Sequence, residues 1–132
     1  MAHVLFVCLH NASRSQMSRA LFDRDAGGRH TSESAGSIAD PGGSVYPPVI
    51  AVMDEIGIDL SDRQPQRLND DLAGAADVVV TMGCGDTCPF ISGKRYIDWD
   101  LPDPEGQDLD SLRATRNDIE RRVQALIADL DA

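Results

Sequence analysis

The sequence predicts an α/β architecture: one domain over residues 1–132, built on a four-stranded parallel sheet with helices on both faces. Three observations lead there. Apolar runs rich in β-branched residues alternate with stretches whose apolar residues recur at helical spacing, and that alternation implies a parallel sheet covered on both sides. Of 132 residues, 42% are hydrophobic and 26% charged, a balance able to bury one real core. No internal repeat, low-complexity tract or interdomain linker divides the chain.

The first strand is the run Val4, Leu5, Phe6, Val7 and Cys8. A polar turn follows, and from Ser15 the residues Met17, Ala20 and Leu21 describe a short amphipathic helix that stops at Gly27 and Gly28. A short polar strand is expected within residues 31–37, and Asp40, Pro41, Gly42 and Gly43 form a turn. From Pro48, Val49, Val52, Met53 and Ile56 fall at i, i+3, i+4 and i+7, which buries one helix face before Gly57 ends it. The polar stretch 59–71 is broken by Pro65, and a short helix opens near Asn69. Residues 76–82 read as the third strand, residues 83–89 as a glycine-rich loop and residues 95–99 as the fourth strand. Leu112, Ile119, Val123, Leu126, Ile127 and Leu130 then give a long closing helix with its apolar side inward.

Cys8 therefore ends a strand just where a helix is about to begin. The first N–H groups of a helix lack intrahelical partners and carry partial positive charge, so this turn can hold an oxyanion. The same field favours thiolate, which makes Cys8 a candidate nucleophile. Five residues separate Cys8 from Arg14, enough for Leu9, His10, Asn11, Ala12, Ser13, Arg14 and Ser15 to curl their N–H groups around an anion. The Arg14 guanidinium would clamp two of its oxygens, a planar fork that lysine cannot supply. Asn11 is the mid-loop residue best able to adopt a left-handed backbone. Ser13 and Ser15 add hydroxyls, and Ser15 is expected to donate toward the Cys8 sulfur. The competing reading is an inert buried cysteine beside a surface arginine.

A net charge of −10 speaks against nucleic acid or anionic membrane as a partner, since both require basic patches. It does not exclude a small anion. Screening at a Debye length of about 8 Å reduces the repulsion of a dianion to about 1 kcal/mol, and several charge-assisted hydrogen bonds of roughly 1.5–3 kcal/mol each outweigh it. Three cysteines in a short chain fit a reducing compartment rather than a disulfide framework. With no membrane-length apolar run and Met1 leading directly into the first strand, the expected location is the cytoplasm.

The Val7-Cys8-x5-Arg14-Ser15 segment resembles the oxyanion loop of the low-molecular-weight protein tyrosine phosphatases, and Ser15-Gln16-Met17 is similar to the thioredoxin-coupled arsenate reductases built on that fold. The resemblance runs over nearly the whole chain and implies a flavodoxin-like topology. It also implies a catalytic set of Cys8, Arg14, Cys84, Cys88 and Asp103, with arsenate as substrate. In that cycle Cys8 attacks arsenate, Cys84 attacks Cys8 to release arsenite, and Cys88 attacks Cys84 to leave a disulfide for an external dithiol protein. Asp103, set between Pro102 and Pro104, resembles the general acid of the fold. The phosphatases usually place an aromatic after that Asp-Pro pair, whereas Glu105 and Gly106 follow here. No bound cofactor or metal is expected: a zinc site would need a second ligand pair, and only His3, His10 and His30 are available. The expected reductant is thioredoxin, and the expected state a monomer. Some of these reductases carry a glutamate, associated with a monovalent cation, where Arg19 stands; arginine there implies no dependence on potassium. Two alternatives stay open, a phosphatase with regulatory cysteines and a non-enzymatic thiol or metal sensor.

Overall fold

A computed structural model describes residues 1–83 and 93–132. Its elements follow in the order β1 (His3–Cys8), α1 (Arg14–Ala26), β2 (Thr31–Gly36), α2 (Pro47–Asp54), α3 (Asp70–Ala75), β3 (Val78–Thr81), β4 (Arg95–Asp98) and α4 (Leu109–Asp131). The four strands form one parallel sheet in the order β2-β1-β3-β4. This is the flavodoxin-like order, in which the chain runs from β1 to one side and then to the other, leaving a crevice at the carboxyl ends of β1 and β3.

The alternation of side chains along β1 divides the interior in two. Val4, Phe6 and Cys8 face the larger core, which α1, α2 and α4 cover with Met17, Leu21, Phe22, Val52, Met53, Ile119 and Val123. Leu5 and Val7 face a smaller layer closed by Ala73 and Ala76, with Leu68 and Leu72 packed against it. Helices thus lie on both faces, as expected, but the coverage is unequal: among the described helices the second face has only the six-residue α3.

Several boundaries have visible causes. Gly27 takes the left-handed backbone (φ +57°) that closes α1, and its N–H bonds to the Asp23 carbonyl. The Asn69 side chain accepts from Leu72 N and so caps α3, as the Asp108 side chain accepts from Ser111 N and caps α4. The third strand is shorter than the apolar run suggests because Ala76 closes α3 through its bond to the Ala73 carbonyl. The amphipathic reading of α1 needs correction. Its first turns are buried on every side, with Arg14, Ser15, Gln16 and Ser18 as enclosed as Met17, and exposure begins only at Arg19. Those polar residues are buried because they serve the loop in front of them.

Two polar clamps tie distant elements. Glu55, just past α2, takes Arg113 at 2.7 Å and Arg116 at 2.8 Å from α4. His30 accepts from Ala2 N at 3.0 Å and meets Asp131 at 2.7 Å, which joins the start of β1 to the end of α4. No helix among the described residues is long and apolar enough to cross a membrane.

Candidate active site

The crevice predicted by the strand order is where Cys8 sits, at the last residue of β1, paired across the sheet with Gly36. The chain then lifts off the sheet and returns as α1. Lift-off requires the loop backbone to pass over the end of β2. A Cβ on Gly36 would stand 2.6 Å from the Leu9 carbonyl and 2.7 Å from Asn11 N, so only glycine allows that passage. Ser37 N and Ile38 N then hold the Cys8 and Leu9 carbonyls at 3.1 and 2.9 Å.

The loop itself contains no glycine, and Asn11 makes its turn. It is the only non-glycine residue with positive φ among the described residues, at +53°. A side chain in this conformation is tolerated best when it bonds locally, and Asn11 does so completely. Its N–H points at the Cys8 sulfur (3.3 Å), its Nδ2 donates to Ser15 Oγ (2.7 Å), and its Oδ1 accepts from Gln66 N (2.9 Å) and Gln16 Nε2 (3.2 Å). Gln16 Nε2 also reaches the Asn11 and Gln64 carbonyls. Ser15 Oγ lies 2.8 Å from the sulfur. With Asn11 already donating to that hydroxyl, its own proton is left for the sulfur, the direction the sequence suggested. Cys8 is only 1% exposed, yet its sulfur faces these donors rather than apolar carbon alone.

Arg14 opens α1 and is 5% exposed. Its Nη1 donates to the Leu101 carbonyl at 3.3 Å, and its Nε is buried without a hydrogen-bond partner. A buried donor left unmet costs free energy that an incoming oxygen would recover. The helix start likewise lacks a cap: Ser13, at the N-cap, makes no side-chain capping bond, and the first turn holds no acidic residue. The sulfur thus receives Ser15 and Asn11 at the uncapped start of α1, and Arg14 is the first residue of that helix; a helix N-terminus and a guanidinium are groups suited to a tetrahedral anion.

Asp103 is brought to the same end of the sheet. It shares with His10, Ala12, Ser13, Tyr46, Pro104 and Glu105 the wall of a cavity of about 260 Å³, and its Oδ1 accepts from Glu105 N at 3.0 Å. Leu9 and Ala12 contribute backbone, and Tyr46 N donates to the Ala12 carbonyl at 2.8 Å. Behind the loop, a second cavity of about 390 Å³ is bordered by Asn11, Arg19, Ser34, Asp62 and Gln66, with Arg19 held 3.4 Å from Glu33. Cys84 and Cys88 lie outside the described residues, so their distance from Cys8 is not part of this geometry.

Sequence reasoning missed Gln16 and Gln66 as supports of Asn11, Gly36 as the floor of the loop, and the Leu101 carbonyl as an anchor for Arg14. Gln66 had no local signal, because its partner lies 55 residues away. Gly36 did leave one, a glycine at the end of a strand, where close backbone approach is a standard reason for it.

Comparison with known proteins places this geometry among relatives. Residues 3–132 match the family described as low molecular weight phosphotyrosine protein phosphatase. A Synechocystis protein named glutaredoxin arsenate reductase is 35% identical over 133 residues, covering 98% of this chain and 99% of that protein. The solved Corynebacterium glutamicum thioredoxin-dependent arsenate reductase is 39% identical with a TM-score of 0.85; the match covers 99% of this chain but only 62% of that one. A low molecular weight protein tyrosine phosphatase from T. tengcongensis is 25% identical with a TM-score of 0.87, covering 98% of this chain and 99% of that one.

Proposed function

The chain belongs to the low molecular weight phosphotyrosine protein phosphatase family, and within that family we propose that it is an arsenate reductase working through a cysteine relay. One observation carries the reading most: the Cys8 sulfur receives Asn11 N and the Ser15 hydroxyl at the uncapped start of α1, whose first residue, Arg14, has a buried Nε with no partner. The relatives from Synechocystis and Corynebacterium, both named as arsenate reductases, support the choice of substrate.

In this account arsenate settles on the N–H groups of residues 9–15, with Arg14 taking two of its oxygens. The Cys8 thiolate attacks arsenic, the As–O bond breaks, and Asp103 protonates the departing oxygen so that water leaves. Cys84 then attacks the Cys8 sulfur. An S–S bond forms, the S–As bond breaks, and its electron pair stays on arsenic, which leaves as arsenite. Cys88 attacks Cys84 and returns Cys8 to thiolate, moving the oxidising equivalent to a Cys84–Cys88 disulfide. A dithiol protein closes the cycle. We propose thioredoxin for that role, with a glutaredoxin-type partner as the alternative, since the two named relatives differ on this point. The chain would act as one domain over residues 1–132 and as a monomer in the reducing cytoplasm, for arsenic detoxification.

Cys8, Arg14 and Asp103 would also suffice for phosphate ester hydrolysis. One observation favours that second reading: Tyr46 lines the cavity beside the loop and offers an aromatic wall that the residues after Asp103 do not. An arsenate-dependent NADPH oxidation assay with thioredoxin and its reductase, run beside phenyl phosphate hydrolysis, separates the two. The reductase reading expects turnover of arsenate that is lost in Cys84→Ser and Cys88→Ser. Rapid phenyl phosphate hydrolysis that persists in both variants, with no arsenate turnover in the parent, would replace it with the phosphatase.

A further inference from the structure

The geometry points to Gly83 as the positioning residue that makes room for the Arg14 guanidinium, an inference that rests on Arg14 being the clamp for the oxyanion. Gly83 lies two residues past the end of β3, after Met82, and has φ of +87°. A Cβ built on it would stand 2.6 Å from Arg14 Nη1, 3.4 Å from Cζ and 3.6 Å from Nη2, so the guanidinium occupies the place of the missing side chain. On another side the Leu101 carbonyl takes the same Nη1 at 3.3 Å. The two backbone segments thus form a slot that fixes the plane of the fork, while Nε stays unpartnered.

The strand cannot retreat to accommodate a larger residue. Met82 N donates to the Val7 carbonyl at 2.8 Å, Trp99 N to the Thr81 carbonyl at 2.8 Å, and Ser18 Oγ reaches Met82 Sδ at 3.6 Å. What yields to a methyl group at position 83 is therefore the end of the arginine side chain. Such a shift breaks the buried bond from Nη1 to the Leu101 carbonyl, which costs stability, and removes one of the directed contacts that a tetrahedral anion needs. Left-handed backbone alone does not account for glycine here. Gly57 has φ of +80° and nothing within 4 Å of its Cβ position, which makes it a matched control for the backbone effect.

The test is the affinity for inorganic phosphate, read by calorimetry on the reduced full chain, with thermal midpoints measured alongside. Gly83→Ala should weaken phosphate binding by about tenfold to a hundredfold, the worth of one charge-assisted contact. Gly57→Ala should lower the midpoint without changing phosphate affinity. The stability cost of Gly83→Ala should also be smaller in an Arg14→Ala background, where no guanidinium has to move. Unchanged phosphate affinity in Gly83→Ala, or an equal stability cost in both backgrounds, would overturn the proposal. If Gly83→Ala fails to fold, a double variant that folds upholds it and one that also fails refutes it. Phosphate is bound without being reduced, so this outcome is separate from the reductase reading: a parent that binds phosphate but does not turn over arsenate would sink only the latter.

Discussion

At the scale of single residues, the site depends on Asn11, whose backbone makes the turn and whose side chain holds the Ser15 hydroxyl toward the Cys8 sulfur. Ser15→Ala removes the sulfur's hydroxyl partner and strands a buried amide. We expect arsenate kcat/KM to fall by roughly tenfold to a hundredfold, from the loss of one charge-assisted bond and one unmet donor, with the rate of Cys8 alkylation by iodoacetamide falling in parallel. Wild-type rates in both assays would show that the hydroxyl does not act on the sulfur. Arg19 sets a second expectation. Its guanidinium borders the cavity behind the loop and sits 3.4 Å from Glu33, so a cationic group already stands beside Asn11. Activity should therefore stay flat when potassium replaces a bulky organic cation at constant ionic strength, and a steep rise would contradict it. The left-handed turn at Asn11 and the Ser15 hydroxyl at the sulfur were legible in the sequence because each follows from what its functional group can do within a short loop. The roles of Gln66 and Gly36 were not, because they arise only when β2 and residues 64–66 are laid against that loop.

At the scale of elements, apolar runs and stripes located β1, α2, β3 and α4, since a stripe records which face is buried whatever it packs against, whereas the polar β2 and the short α3 carry no such stripe. Strand order is another matter: it depends on pairings between segments far apart in sequence, and the spacing of apolar residues does not record them. The fully buried start of α1 was missed for a related reason, because polar residues there serve the loop rather than solvent. The α2–α4 contact is the element-level feature with a pH signature. Hydrogen bonds from Arg113, then Arg116, hold the Glu55 carboxyl at about 2, well below the usual carboxylate range. A depressed folded-state value means that the stabilisation is present above the unfolded value, about 4.5, and is lost as pH falls through about 2. The thermal midpoints of parent and Glu55→Gln should therefore differ at neutral pH and converge on acidification across that window. The difference should shrink in high salt, because the clamp is exposed. Parallel curves over the whole range would remove Glu55 from the acid response.

At the scale of the whole molecule, the net charge of −10 and the proposed anionic substrate are reconciled by where the cations lie. Arg24, Arg29, Arg95, Arg113, Arg116 and Arg122 pair with carboxylates on the surface, whereas Arg14 is buried at the start of α1 and donates to a carbonyl instead. The sheet order brings Cys8, Arg14, Gly83 and the Asp103 loop to one end of the molecule, so residues separated by up to 94 intervening positions lie around the cup proposed for the anion. The central claim is that a sulfur held in this cup passes two electrons to arsenic by way of Cys84 and Cys88. Its most direct measurement is a reaction of fully reduced chain with excess arsenate and no other reductant, followed by arsenite quantitation and peptide mapping of the thiols. The account predicts one arsenite per chain, Cys8 recovered as thiol, and a disulfide between Cys84 and Cys88. Three unchanged thiols with no arsenite formed would contradict it.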